Sequence, residues 1–131
     1  MPGWPGVLAR LVAAQRAEPF VWGRSDCSFA FDAVVALTGW DPIADVRGYR
    51  SEAGVLKRLR RAGFASTREL VEARFRFISP AAAGRGDLGY QTGAVDALQS
   101  PCLIVGAYAV SKGPDGFAVV PLTDLVSAYE V

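Results

Sequence analysis

The spacing of apolar residues changes along the chain, and this change limits the fold more than any other feature of the sequence. Before about residue 75, apolar residues recur at the spacing that is typical of amphipathic helices. Beyond it they alternate or form short runs between turn residues, which is typical of strands. Helices followed by strands predict an α+β fold in which the helices pack on an antiparallel sheet.

Capping residues indicate where the helices begin. We expect Asp26 to cap a helix whose first residue is Cys27. Ser51 is placed to cap the next helix, and Ser66 followed by Glu69 is a capping-box signal for a shorter one. On the helix that follows Asp26, the expected buried face consists of Phe29, Ala33, Val34 and Leu37.

The second half of the chain predicts buried strands and an ambiguous tail. Residues 101–110 are apolar enough to form one long strand, and residues 117–120 are expected to pair with it across a turn. Alternation places the side chains of the long strand on two faces, with Leu103 and Val105 on one and Cys102 and Ile104 on the other. The tail, residues 125–131, is apolar and fits helix and strand equally.

Length and charge exclude several classes of protein. A chain of 131 residues fits one domain, residues 1–131, that buries a core without metal or disulfide. A net charge of +1 gives no reason to expect a nucleic-acid partner. No segment has the roughly 18 consecutive apolar residues of a membrane span, and residues 1–5 lack the features of a secretory signal. We therefore expect synthesis in the cytoplasm and no membrane span.

The chain has no histidine and two cysteines, Cys27 and Cys102. This composition excludes a Cys-His dyad, a Ser-His-Asp triad and a His-ligated zinc site within the chain. Two thiolates cannot complete a zinc or iron–sulfur site by themselves, so we expect no metal and no cofactor. Cys102 stands in an apolar run and is interpreted as a small buried hydrophobic residue.

Cys27 is placed where a helix would activate a thiol. Unpaired N–H groups and the macrodipole at the start of a helix favour a thiolate. Arg24 would add to this effect, and Asp26 would oppose it. Taken alone, a cysteine at the start of a helix is more often structural than catalytic.

The residues around Cys27 form a longer motif. Trp22-Gly23 precedes Asp26-Cys27-Ser28, and Gly86-Asp87 follows later in the chain. This arrangement resembles the nucleophile segment of the NlpC-type, papain-like cysteine peptidases and the Gly-Asp at the entry to their sheet. The resemblance implies a papain-like fold, with N-terminal helices on a C-terminal antiparallel sheet. It places Cys27 at the position of the nucleophile in enzymes that cut peptidoglycan.

Further motifs narrow the resemblance. They are Thr38-Gly39-Trp40-Asp41-Pro42, Arg47-Gly48-Tyr49, Ile104-Val105-Gly106 and Ala128-Tyr129-Glu130-Val131. The set is similar to peptidase-like proteins of phage and gene-transfer-agent tail clusters, which accompany the tail-tip hub. This resemblance implies a place in the virion tail tip and tail hub or baseplate proteins as partners.

The chain departs from the active peptidases at the general base. In those families a histidine follows the Gly-Asp, whereas here Ser100 or a neighbour occupies its place. A serine cannot take a proton from a thiol near neutral pH. The acids to test as substitutes are Asp26, Asp87 and Asp96.

Three functions remain open at this stage. We favour a structural tail-tip component on a degenerate peptidase fold, which would contact the hub through an apolar patch with a polar rim. The alternative is an active peptidoglycan amidase or endopeptidase that uses Cys27 with a base that is not histidine, or with one from a partner chain. A thiol redox element of Cys27 and Cys102 is the third, although no Cys-x-x-Cys spacing is present.

Overall fold

Helices occupy most of the N-terminal half of the chain. The computed structural model describes residues 4–26, 28–91, 97–113 and 116–131. The helices are α1 (Trp4–Ala17), α2 (Phe29–Thr38), α3 (Glu52–Arg61) and α4 (Thr67–Arg74). All four precede the strands, as the spacing of apolar residues predicts.

The C-terminal half forms a six-stranded antiparallel sheet. Its strands are β1 (Arg76–Ile78), β2 (Leu88–Gln91), β3 (Cys102–Ile104), β4 (Tyr108–Gly113), β5 (Gly116–Pro121) and β6 (Leu125–Glu130). Short 3-10 helices lie at Pro80–Ala82 and Leu122–Asp124. The order across the sheet is β1-β6-β2-β3-β4-β5, so β6 lies between the first two strands. The α+β prediction, with helices first and an antiparallel sheet second, is confirmed.

Serine side chains cap α3 and α4, as predicted. Ser51 Oγ accepts a hydrogen bond from Gly54 N at 3.0 Å, and Ser66 Oγ accepts one from Glu69 N at 3.1 Å. In a capping box the glutamate side chain accepts a hydrogen bond from the backbone N–H of the N-cap serine. Here Glu69 Oε2 accepts instead from the N–H of the preceding residue, Ala65. Both helices therefore begin where side chains satisfy their free N–H groups.

The start of α2 differs from the prediction. The helix begins at Phe29 with Ser28 at its N-cap, so the expectation of an Asp26 cap and of Cys27 as first residue is wrong by two positions. The reason is that the Asp26 carboxylate binds the N–H groups of Gly23 and Ser28 in the preceding turn. The chain thus completes this turn before helical bonding begins.

The predicted buried face of α2 is confirmed and extended. Phe29, Ala33 and Val34 are fully buried, and Leu37 packs at the edge of the core. Ala30 and Phe31 are buried as well, so the first half of α2 is enclosed.

The apolar run at 101–110 forms two strands instead of the one long strand predicted. β3 ends at Ile104, the chain turns through Gly106 with φ of 132°, and β4 begins at Tyr108. Such a φ is readily available only to glycine, which is why the run breaks there. The predicted pairing with the next strand is confirmed, because β4 and β5 form an antiparallel hairpin.

Each face of the sheet has its own apolar core. The helix-covered core includes Leu103 and Val105, and the second core includes Cys102 and Ile104. This division confirms the predicted alternation. Ala83, which follows the first 3-10 helix, and Leu122, which begins the second, pack against the second core. The chain therefore covers part of that face itself.

Candidate functional site

A tight turn precedes α2. Val21 and Ser25 form an isolated β-bridge in which each N–H donates to the carbonyl of the other at 2.9 Å. Inside this turn Gly23 has φ of 81°, and a Cβ added there would lie 2.0 Å from the carbonyl oxygen of Tyr49. Glycine is required at this position because both the backbone conformation and the available space exclude a side chain.

Asp26 is a buried carboxylate with both oxygens engaged. It is 1% exposed and accepts from Gly23 N at 2.8 Å and from Ser28 N at 2.9 Å. Cys27, the predicted nucleophile, lies outside the described residues. Because its two oxygens bind backbone N–H groups, Asp26 stabilises the turn and does not supply the free base that was sought among the acids.

A buried lysine from the sheet contacts the same turn. Lys112 in β4 is 2% exposed. Its Nζ donates to the backbone carbonyl oxygens of Gln15 at 2.8 Å and Glu18 at 3.1 Å, and to Ser25 Oγ. The Oε1 atom of Gln15 is a further acceptor at 3.3 Å. Lys112 therefore connects the C-terminal end of α1 and the turn before α2 to the sheet.

The surroundings of Lys112 Nζ at this site are oxygen acceptors of the chain. Burial lowers its pKa, whereas the carboxylates of Glu18 and Asp26 raise it. Its N–H groups are directed at oxygen acceptors of the chain, so they hold the turn in place. Ser25 is 2% exposed, and its hydroxyl therefore does not reach a substrate as a nucleophile would.

The turn before α2 and the stretch before β3 meet around Thr67. Ser28 and Thr67 line one small cavity of about 20 Å³, and Thr67 Oγ1 donates to the carbonyl oxygen of Gln99. Ser100, at the place of the expected histidine, is 8% exposed and donates its hydroxyl to the carbonyl of Pro101 at 2.9 Å. None of these groups is a base near neutral pH.

Asp87, a second acid proposed as a substitute, is engaged at the entry to β2. Asp87 is a turn residue that accepts from Gly84 N at 2.9 Å and from Val131 N at 3.0 Å. Its two oxygens fix the entry to β2 and the end of β6. Asp96 lies outside the described residues. The carboxylates of Asp26 and Asp87 are thus both engaged by backbone N–H groups, and neither is a free base.

Two motif residues, Asp41 and Arg47, attach a loop to α2. Arg47 Nη2 lies 2.8 Å from Asp32 Oδ1, and its Nε lies 2.7 Å from Asp41 Oδ2. Burial raises the pKa of Asp32, and the neighbouring Arg47 lowers it. The cluster has a structural role, because the guanidinium of Arg47 joins two carboxylates that lie on different parts of the chain.

The second thiol is enclosed in the core, as predicted. Cys102 is 1% exposed and unpaired with another cysteine. Burial raises the pKa of the Cys102 thiol to about 11. At neutral pH this residue is therefore a protonated, inaccessible thiol.

This burial predicts slow alkylation of Cys102. In a Cys27→Ser variant at pH 8, iodoacetamide should label the folded chain at least about 100-fold more slowly than a free cysteine, because the thiolate fraction falls by that order. The rate is measured by mass spectrometry, with the same variant in denaturant as control. Labelling of the folded variant at the free-cysteine rate would show that Cys102 is accessible.

Sequence reasoning did not identify Lys112 and Ser25. The prediction assigned Lys112 to a turn, and a lysine is seldom fully buried. The available signal was strand alternation, since Lys112 stands two positions after the buried Val110 and shares its face of β4. A lysine on that face needs acceptors inside the protein, and the end of α1 supplies them.

The described residues were also searched for a membrane-spanning helix and for a metal site. Among the described residues, no helix is both long and apolar enough to cross a membrane. Within the same ranges, no group of three or more His, Cys, Asp or Glu residues is arranged to hold a metal ion.

Comparisons with curated proteins and with solved structures give no match. A family model matches residues 1–131, and the chain belongs to that family, described as Domain of unknown function (DUF6950).

Proposed function

We propose that this chain is a structural, hub-associated component of the tail tip of a phage-like particle. In this proposal it is built on a papain-like, NlpC-type fold that no longer hydrolyses peptidoglycan. The order of helices and strands supports the fold assignment, because a helix follows the Asp26-Cys27-Ser28 motif and β2 begins directly after Gly86-Asp87. The place in a tail tip is supported by the sequence resemblance.

The observation that carries the loss of hydrolysis is the surroundings of Ser100. A thiol peptidase needs a base that takes the thiol proton and then protonates the leaving amine. Ser100 is buried, and its hydroxyl is bonded to Pro101. Lys112, a buried cation that contacts the turn, is bound to oxygens of Gln15, Glu18 and Ser25. Neither side chain supplies both proton transfers.

A surface patch supports contact with a partner protein. Phe77 is 63% exposed and Val126 is 50% exposed, and both line a groove of about 380 Å³. The ion pair of Arg68 and Glu72 lines the same groove. An apolar patch beside charged residues is the kind of surface that a tail-tip component would present to its hub.

The test combines particle composition with enzymology. Tailed particles are purified from cells that encode either the wild-type chain or a Cys27→Ala variant, and the chain is quantified by mass spectrometry. We expect equal amounts in both kinds of particle, because the thiol has no role in assembly. In a muropeptide digest, we expect no product from either pure protein, because the site has no base.

Surface variants make the assembly test specific. Phe77→Glu should remove the chain from particles, whereas Val119→Glu, at a residue 57% exposed on β5, should leave incorporation unchanged. A chain that is absent from all purified particles would refute the tail-tip proposal. A Cys27-dependent product from the pure wild-type protein would instead favour the amidase or endopeptidase alternative.

A further inference from the structure

A second groove lies between α1 and the turn that joins β3 to β4. It has a volume of about 400 Å³. Its apolar lining includes Leu8 and Val12 of α1, together with Val105 and Tyr108 at the turn. Tyr108 is 43% exposed, so this lining is open to solvent. The groove is separate from the one that contains Phe77.

Two guanidinium groups line the same groove, and neither has a counter-charge. Arg16 and Arg85 form no ion pair with any residue in the described part of the chain. The guanidinium carbon of Arg16 lies over the Phe117 ring, 5.3 Å from its centre, and this cation–π contact occupies none of its N–H groups with an oxygen acceptor. Its N–H edge is therefore available to a ligand.

The position of Arg85 depends on Gly106. A Cβ added at Gly106 would lie 3.3 Å from Arg85 Nη2, so the guanidinium rests against the bare backbone of the turn. Gly106 thus serves two purposes, because it also supplies the positive φ of the turn. The arrangement brings the Arg85 cation beside an aliphatic surface, and no acceptor for it is found in the described part of the chain.

We propose that this groove binds an acidic, aliphatic segment of a partner protein in an extended conformation. Carboxylates of the segment would pair with Arg16 and Arg85, since a guanidinium matches a carboxylate with two parallel hydrogen bonds. Its aliphatic side chains would pack on Leu8, Val12 and Val105. The inference does not depend on the tail-tip proposal, because it concerns a different surface.

The dimensions of the groove favour a peptide over a small anion. From Leu8 to Arg16, α1 rises by about 12 Å, which is the length of roughly four residues of extended chain. A phosphate ion would occupy a small part of this volume and would leave the apolar walls in water. A segment that alternates acidic and aliphatic residues uses both the cations and the walls.

The test measures fluorescence polarisation with a labelled hexapeptide of alternating Glu and Leu. The full chain should bind this probe saturably with a Kd tighter than about 1 mM. Arg85→Glu should weaken binding at least about tenfold, because attraction becomes repulsion. Arg60→Glu, at an exposed residue of α3 outside the groove, changes the net charge equally and should bind like the wild type. Arg85→Gln serves as the second variant, and it should weaken binding less than Arg85→Glu because it removes the positive charge without adding a negative one.

Control probes separate this proposal from other kinds of binding. A Glu-Ser hexapeptide should bind clearly more weakly, because it lacks aliphatic side chains. Absence of saturable binding, equal weakening by Arg60→Glu, or equal affinity for the Glu-Ser probe would each overturn the proposal. Arg85-dependent binding of anionic phosphatidylglycerol vesicles without peptide binding would overturn it in favour of a lipid surface. Circular dichroism melts show whether each variant is folded.

Discussion

Replacing Gly23 by alanine is expected to lower the free energy of unfolding by about 3 kcal/mol or more. A Cβ at this position would lie 2.0 Å from the carbonyl oxygen of Tyr49, and the φ of 81° disfavours any side chain. The backbone must move, and this movement breaks the bond from Gly23 N to Asp26 Oδ2. The loss is measured by urea denaturation, and it is a large fraction of the stability of a domain of this size.

Gly39 provides the matched control for this experiment. Its φ is 78°, close to that of Gly23, but no atom lies within 4 Å of an added Cβ. Gly39→Ala should therefore cost about 1 kcal/mol, which is the conformational part alone. Equal losses in the two variants would show that the carbonyl of Tyr49 moves aside without a cost, contrary to the expected result.

Replacing Lys112 by methionine is expected to destabilise the chain by about 3 kcal/mol or more. Methionine keeps much of the apolar stem but leaves the carbonyl oxygens of Gln15 and Glu18 without their donor. It also removes the favourable electrostatic interaction between Lys112 and the buried carboxylate of Asp26. Both effects weaken the connection between α1, the turn before α2 and the sheet.

Lys57→Met is the control for the loss of a lysine. Lys57 is exposed on α3, where such changes usually alter the free energy of unfolding by less than about 0.5 kcal/mol. Both variants are compared with the wild type by urea denaturation at neutral pH. If Lys112→Met is as stable as Lys57→Met, then the buried lysine is not an anchor of this fold.

Local signals predicted much of the fold correctly. The caps at Ser51 and Ser66 follow from the chemistry of helix starts, and alternation placed Leu103 and Cys102 on opposite faces. These features depend on residues close together in the sequence. For that reason they could be inferred without knowledge of the tertiary structure.

Features that depend on distant residues were not predictable in this way. The break at Gly106 was hidden inside an apolar run, and the start of α2 moved because Asp26 binds the turn before it. The tail gave no clear pattern, since β6 is buried unevenly between two neighbours and its register shifts opposite Tyr90 and Gln91. In each case the tertiary partners decided the local structure.

The candidate site was predictable only in outline. The motif around Cys27 directed attention to the turn before α2, and the absence of histidine raised the question of a base. The buried contacts of Lys112 could not be found from local patterns, because Gln15 and Ser25 are far from it in sequence. Whether a charged side chain can be buried depends on the hydrogen-bond acceptors that the fold places around it.

The position of β6 affects the order in which the chain folds during synthesis. β1 and β2 are each paired with β6, so residues 125–130 must leave the ribosome before those two strands gain their shared neighbour. Until then the helices and the β3–β4–β5 meander have their partners, while β1 and one side of β2 expose free strand edges. Such edges attract other chains, so the nascent protein is most prone to aggregation just before its last strand is inserted.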